Sequence, residues 1–346
     1  MTTELKTPDV VLDVPPRASV GSLVRLTTFK WGLVALVFVI IAFFSITQPS
    51  FMTLTNWIII LQSATVVVIV SLGQTVVMAT GGFDLSLGAN LGLVVMVTAL
   101  VMVRFAYTGV TAIFLGLLAG AIVGGLNAFL IVVCRIPDLV ATLASMFVVN
   151  GATLIATTGQ TVNQGQIING VAAPGKFTPD YRWIGTGDIF GIPVSIVLTI
   201  VVVLIVYVLM NKTKWGRALY AVGGNPVAAG LVGIKVARYR IYAYVVAGLL
   251  AAVAGIVLSS RLGMGTIGVG DGYLLQSVAA ALIGFAVLGA NKPNVLGTVV
   301  GAVFVAILLN GLTMFNFPYY TQDFTQGALL ILALLMSYTL SPRRRH

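Results

Sequence analysis

From residue 31 onward, apolar residues run in blocks of about twenty, interrupted by short polar or glycine-rich breaks. A helix that crosses the hydrocarbon core of a bilayer needs roughly 20 predominantly apolar residues. On that measure the pattern predicts spans at 31–48, 56–79, 86–103, 109–134, 139–157, 192–210, 241–260, 275–290, 295–315 and 324–341. The expected fold class is an all-α polytopic membrane protein of about ten transmembrane helices, and an even number of crossings leaves both termini on one side. Glycines near 80–90 and 284–297 could break a helix at membrane depth, where irregular backbone survives only inside protein.

Four segments stand outside this pattern. Residues 1–30 mix Pro15 and Pro16 with acids and bases and show no helical period, which reads as a mobile N-terminal tail; 342–346 form a short basic C-terminal tail. A transmembrane domain fills 31–341 between them. Within it, 158–191 are rich in Gly, Asn, Gln, Thr and Pro and too polar to span, either a surface connection or a platform for an external partner. Residues 211–240 carry six bases, Lys212, Lys214, Arg217, Lys235, Arg238 and Arg240, and no acid.

The uncharged centre of that last segment, 223–234, opens with Gly223 and Gly224 and holds a helix-start signal. Asn225 can cap a helix through its side-chain oxygen, and Pro226 suits the first helical position because its missing N–H would be unpaired there anyway. Gly233 is the expected stop. Val227, Leu231 and Ile234 then fall at i, i+4 and i+7 as one apolar stripe, beside the small Ala228, Ala229 and Gly230. This is a candidate docking helix.

Composition fits the bilayer. Hydrophobic residues make up 59% of the chain and charged residues 8%, with mean hydropathy +1.07, whereas soluble proteins carry about 25% charged residues. The net charge of +10 does not indicate nucleic acid, since the bases sit in short clusters between apolar runs. With both termini cytoplasmic, fifteen of the 19 Lys and Arg lie inside and only Arg104, Lys176, Arg182 and Arg261 outside, the positive-inside bias. The single Cys134 and the single, terminal His346 exclude an intrachain disulfide, a cysteine-cluster metal site and histidine catalysis within the membrane. No cleavable signal peptide is expected.

Between residues 31 and 103 the only charge is Asp84, in TGGFDLSLGAN at 80–90. An isolated acid among apolar spans is a functional-site hypothesis. Gly81 and Gly82 permit a tight break, and Asp84 either caps the next helix near Leu87 or meets a substrate or coupling ion. Uncharged amides and hydroxyls, among them Ser86, Asn127, Asn150, Asn310, Gln62, Gln74, Gln276 and Thr313, either bond between helices or line a path suited to a neutral polyhydroxylated solute. The string GFAVLGANKPN at 284–294 echoes GGFDLSLGAN, as an internal duplication would. No GxxxxGK[ST] phosphate loop and no ladder of intramembrane acids is present, so movement of a solute is either passive or driven by another polypeptide.

TGGFDLS at 80–86, WGRALYAVGGNPVAAGLVGI at 215–234 and the ten-span plan together resemble the inner-membrane permeases of bacterial ATP-binding cassette importers, above all the ribose and related monosaccharide permeases. The resemblance covers nearly the whole chain after the tail. It rests on Gly223, Gly224, Asn225, Ala228, Ala229, Gly233 and Ile234, and on Gly81, Gly82, Asp84, Leu85 and Ser86. Departures are Gly230 and Val232, where relatives often carry Arg and Ser, and GFAVLGANKPN, where ribose-type permeases usually carry a Gly-Gly-Thr-Ser-like run. The resemblance implies an importer permease fold in the bacterial plasma membrane, with both termini cytoplasmic and 223–234 as the coupling helix that docks on an ATPase subunit. It also implies a second permease chain, identical or related, and a periplasmic or extracellular sugar-binding protein. The chain itself would be no enzyme and hold no cofactor, with ATP on the partner subunit. The expected function is a permease subunit for import of a monosaccharide or similar neutral solute. The alternatives are a stand-alone carrier or facilitator and an importer permease for another small solute, such as a branched-chain amino acid.

Overall fold

The computed structural model describes residues 37–168, 170–287 and 292–340; the two predicted tails lie outside them. The main elements in chain order are α1 (Val37–Thr47), α2 (Leu54–Met78), α3 (Leu87–Ala99), α4 (Gly109–Ala128), α5 (Asp138–Thr157), α6 (Pro179–Thr186), α7 (Val194–Lys212), α8 (Lys214–Gly224), α9 (Pro226–Leu231), α10 (Val236–Leu262), α11 (Asp271–Val287), α12 (Val295–Met314) and α13 (Tyr319–Leu340). Helices α3 and α4 each end in a π-helical turn, Leu100–Arg104 and Phe129–Val133. All ten predicted spans fall on helices, with 31–36, 288–290 and 341 outside the described residues. Among the described residues, seven helices are long and apolar enough to cross a bilayer.

Apolarity alone does not set depth in the bundle, because lipid accepts an apolar helix face as readily as a protein core does. Helix α7 is the most apolar of the spans and yet one of the least buried. In α2 and α3, 72% of the most apolar window is buried, against 22% in α5 and 28% in α7, so α2 and α3 are central and α5 and α7 show most of their surface outward. Helix α10 packs on α2, α3 and α4. Its contact with α4 is made by glycine: a Cβ on Gly120 would lie 2.7 Å from the Gly248 carbonyl oxygen, and one on Gly124 would lie 3.0 Å from the Val245 Cα. Small residues let membrane helices approach backbone to backbone. Asn90 of α3 ties the pair by donating to the carbonyls of Gly120 and Gly248 at 3.3 Å.

Connections sort onto two ends. At one end the turn 79–86 meets α8, since Gly81 lies against Gly223, and the Tyr220 hydroxyl of α8 donates to the Pro293 carbonyl at 2.7 Å. At the other end Arg104 donates to the carbonyls of Ala156 and Thr157, and Arg182 to that of Arg261. Residues 158–191 cap this second end through α6 and pairs of two-residue strands: β1 (Val162–Asn163) with β6 (Met264–Gly265), β2 (Ile167–Ile168) with β3 (Val171–Ala172), and β4 (Asp188–Ile189) with β5 (Ile192–Pro193). Phe177 and Tyr181 of the cap are buried against Met96, Met102 and Ile256.

Residues 211–240 differ from the loop with one short helix that the sequence predicts. Most of the segment is helical, because Thr213 caps α8 by accepting from the Gly216 N–H at 3.2 Å and α8 buries Gly216, Ala218, Leu219 and Val222. The basic residues had masked this apolar face.

Candidate functional site

Helix α9 is built as its residues dictate. The Asn225 side-chain oxygen accepts from the Ala228 N–H at 3.0 Å, Pro226 takes the first helical position, and Gly233 closes the helix at φ +84°. After the last turn the Ile234 N–H donates to the Ala229 carbonyl at 3.0 Å, satisfying an otherwise unpaired helix end. Only Ala229 is buried; Val227 and Leu231 are 72% and 85% exposed. Ile234 does not join them, since the helix ends at Leu231 and Ile234 is half-buried beyond Gly233. Exposed Val232 stands beside Leu231 instead. The surface on offer is a small apolar knob, with Ala228 and Gly230 also exposed.

Immediately before α9, the end of α8 is wedged into the turn after α2. A Cβ on Gly223 would collide with the Ala79 carbonyl oxygen and lie 2.9 Å from the Gly81 nitrogen, so only glycine permits this contact; Gly224 beside it is exposed. Gly81 itself has φ +79°, a left-handed conformation that favours glycine. The glycines on either side of the contact therefore serve one junction between α8 and 79–81.

Asp84 lies between the spanning segments of α2 and α3 and is buried. Its Oδ1 accepts from the Ser86 N–H at 2.8 Å and the Ser86 hydroxyl at 2.7 Å. It thus closes a local turn on Ser86, the residue just before the start of α3 at Leu87. Asn127 of α4 donates to the Ser86 Oγ at 2.7 Å and reaches both Asp84 oxygens at 3.4–3.5 Å. Burial pushes the Asp84 carboxyl up to about 6, against the opposing effect of the bonds from Ser86 and Asn127. Asp84, Ser86 and Asn127 form one buried polar knot.

Sequence reasoning missed a second polar group beside it. Arg240, in the first turns of α10, places Nη2 2.5 Å and 2.8 Å from the two carboxylate oxygens of Asp138, the first residue of α5. The hydroxyl of fully buried Tyr244 donates to Asp138 Oδ2 at 2.7 Å and lies 3.4 Å from the Phe83 carbonyl oxygen. Gly82 fits between them, since a Cβ there would lie 2.6 Å from both Asp138 Oδ2 and the Tyr244 hydroxyl. The signal was faint: Asp138 and Arg240 are an acid and a base at span ends, 102 positions apart.

The remaining predicted residues lie elsewhere. Asn310 donates to the Asn56 side chain at 3.1 Å, a tie between α12 and α2. Asn150 is half-buried and, with Thr153, Gly268 and Asp271, lines a cleft of about 130 Å³. A larger cleft of about 660 Å³ opens at the α8 end between Met78, Phe83, Tyr220, Gly223 and Phe285. Residues 288–291 of the echoed string lie outside the described residues; at its end Asn294 caps α12 by accepting from the Gly297 N–H at 2.6 Å.

Comparison with known proteins gives a consistent result. The family described as branched-chain amino acid transport system / permease component matches residues 56–334. The ribose import permease protein of Escherichia coli strain K12 is 33% identical over 305 residues, 88% of this chain and 92% of that protein. Its namesake from Bacillus subtilis strain 168 is 34% identical over 301 residues, 86% of this chain and 89% of that one. The D-allose transport system permease protein of E. coli K12 is 28% identical over 314 residues, 90% of this chain and 92% of its own length. No solved structure matches the chain.

Proposed function

The chain belongs to the branched-chain amino acid transport system / permease component family, and we propose that it is the membrane subunit of an ATP-driven, binding-protein-dependent importer of a neutral monosaccharide. It is a multi-pass protein of the inner membrane. The relatives named for ribose and D-allose import support an aldose as the solute class. The partners are an ATP-binding cassette ATPase that holds the ATP, a periplasmic or extracellular sugar-binding protein, and a second permease chain, identical or related. The end that carries α8 and α9 is cytoplasmic, as are both termini, and 158–191 face outward.

The observation that carries this reading is the exposure of Val227 and Leu231 on a capped helix whose base is wedged against the 79–81 turn. A knob of that kind suits a cleft in another protein, with apolar anchors at the centre of the contact and bases at its rim. ATP-driven closure of the partner would displace α9 and, through Gly223, the turn between α2 and α3. A ligand shifts a conformational equilibrium only through contacts that differ between the two states, so the receiving cleft must change shape during the cycle.

The test is a Val227→Asp, Leu231→Asp double variant, reconstituted with the ATPase and binding protein. Burying a charge in place of an apolar anchor costs about 2 kcal/mol or more, roughly 30-fold in affinity. Loss of ATPase copurification and of ATP-dependent D-ribose or D-allose uptake is the expected result. Unchanged copurification would remove α9 from the docking surface, and ion-driven uptake by the permease without any ATPase would replace the importer reading with a carrier.

A further inference from the structure

The coupling segment meets the 79–86 turn and its neighbours on both sides of α9. Before α9, Gly223 is wedged against Ala79 and Gly81. After α9, Arg240 grips Asp138 with Nη2 on both carboxylate oxygens, while Tyr244, one turn further along α10, donates to the same carboxylate and touches the Phe83 carbonyl. Gly82 and Phe83 belong to the turn that Gly223 presses from the other side. Asp138 is the first residue of α5, one of the helices least buried within this chain.

From this arrangement we infer that Arg240, Asp138 and Tyr244 act as a clamp that transmits displacement of α9 to the start of α5 and to the 79–86 turn, an inference that rests on the coupling role proposed for α9. The chemistry suits the task. Arg240 Nη2 alone meets both oxygens of the Asp138 carboxylate, a charge-assisted contact stronger than one between neutral groups, and it holds α10 at a fixed distance from the start of α5. The side chains of Arg240 and Asp138 are 29% and 18% exposed, so the pair is partly withdrawn from solvent. Screening weakens such a pair far less than a surface one. Tyr244, fully buried, supplies a second anchor from α10 to the same carboxylate. Gly82 keeps the group closed, because any side chain there would enter the space between the carboxylate and the phenol.

Arg240, Asp138 and Tyr244 are positioning residues, since they bond to one another and to the backbone of the turn. Their removal is expected to uncouple ATP hydrolysis from movement of sugar while α9 remains free to dock. The experiment compares wild type, Asp138→Asn, Arg240→Gln, Arg240→Lys and the exchanged pair Asp138→Arg with Arg240→Asp. Each is reconstituted in proteoliposomes with the ATPase and with the binding protein loaded with D-ribose or D-allose. The quantity read is sugar taken up per ATP hydrolysed.

Asp138→Asn and Arg240→Gln are expected to lower that ratio at least about tenfold, within the usual range of coupling factors, with ATPase copurification retained. Arg240→Lys is expected to fall between them and wild type, and the exchanged pair to recover part of the loss. A ratio unchanged in both single variants would overturn the clamp, and so would loss of copurification in every variant, which would make the group a folding element. If wild type itself shows no ATP-driven uptake, the importer reading fails first and the clamp fails with it.

Discussion

At the scale of single residues, the two glycines that flank and interrupt α9 make opposite demands. Gly223 has no room for a methyl group beside the Ala79 carbonyl, whereas a Cβ on exposed Gly230 meets nothing within 4 Å. Gly223→Ala is therefore expected to displace α8 from the turn and reduce ATP-driven uptake, while Gly230→Ala gains up to about 1 kcal/mol of helix propensity and leaves uptake intact or improved. Measuring both in one reconstituted assay separates contact from propensity, and equal effects would contradict the packing described here. Asp84 makes a different demand, because burial raises its carboxyl from 3.8 to about 6. A group with a raised native value favours the fold in its protonated form. Its contribution is complete below the unfolded value and is lost as pH rises through about 6. Asp84→Asn, permanently neutral and nearly isosteric, should then be more stable than wild type at pH 8 by on the order of 3 kcal/mol and melt higher, with the difference vanishing below about pH 4. Thermal melts of purified protein across that range check it; a variant that melts lower at pH 8 would show that the ionised form is the one the knot was built to hold.

Among elements, the contact between α4 and α10 is the tightest test of the helix packing. Gly120, Gly124 and Gly248 bring two backbones together, and Asn90 bonds to carbonyls on both. Gly248→Val is expected to force the pair apart at about 1–3 kcal/mol or more and to lower the yield of folded protein, whereas Gly125→Ala on the same α4 meets nothing within 4 Å and should be silent. Spans of this kind were legible in the sequence because length and apolarity alone decide them. The cap and stop of α9 were legible too, since Asn225, Pro226 and Gly233 act locally. What escaped notice depended on tertiary contact or on competing signals. Helix α8 hid behind its own bases, whose placement the membrane rule already explained. The stripe through Ile234 ran three residues too far, because spacing was extended past Gly233, the stop the sequence itself offers, while the helix ends at Leu231. The Asp138 and Arg240 pair joins positions 102 residues apart, and no local pattern announces it.

For the molecule as a whole, the alternation of connections between two ends fixes what must share a side, but a bundle read this way can still be inserted either way up. Residues 79–86, Asp138, α8 with α9, and Pro293 meet at one end; Arg104, the 158–191 cap and Arg261 meet at the other. The proposed function requires the first end to be cytoplasmic, so that α9 can meet an ATPase, and the positive-inside rule favours the same choice. The chain carries a natural reporter of this choice. Its one cysteine, Cys134, is free and exposed, beside Arg135 at the α8 end. A membrane-impermeant maleimide should leave Cys134 unlabelled in intact spheroplasts and label it in inside-out vesicles. In a Cys134→Ala background, Gln164→Cys, exposed between β1 and β2, should show the reverse. The paired design matters, because failure to label one cysteine alone would not separate a wrong orientation from a shielded thiol. Both patterns inverted together would turn the bundle over, place α9 outside the cell and remove it from any cytoplasmic ATPase, whatever the sequence around Asn225 resembles.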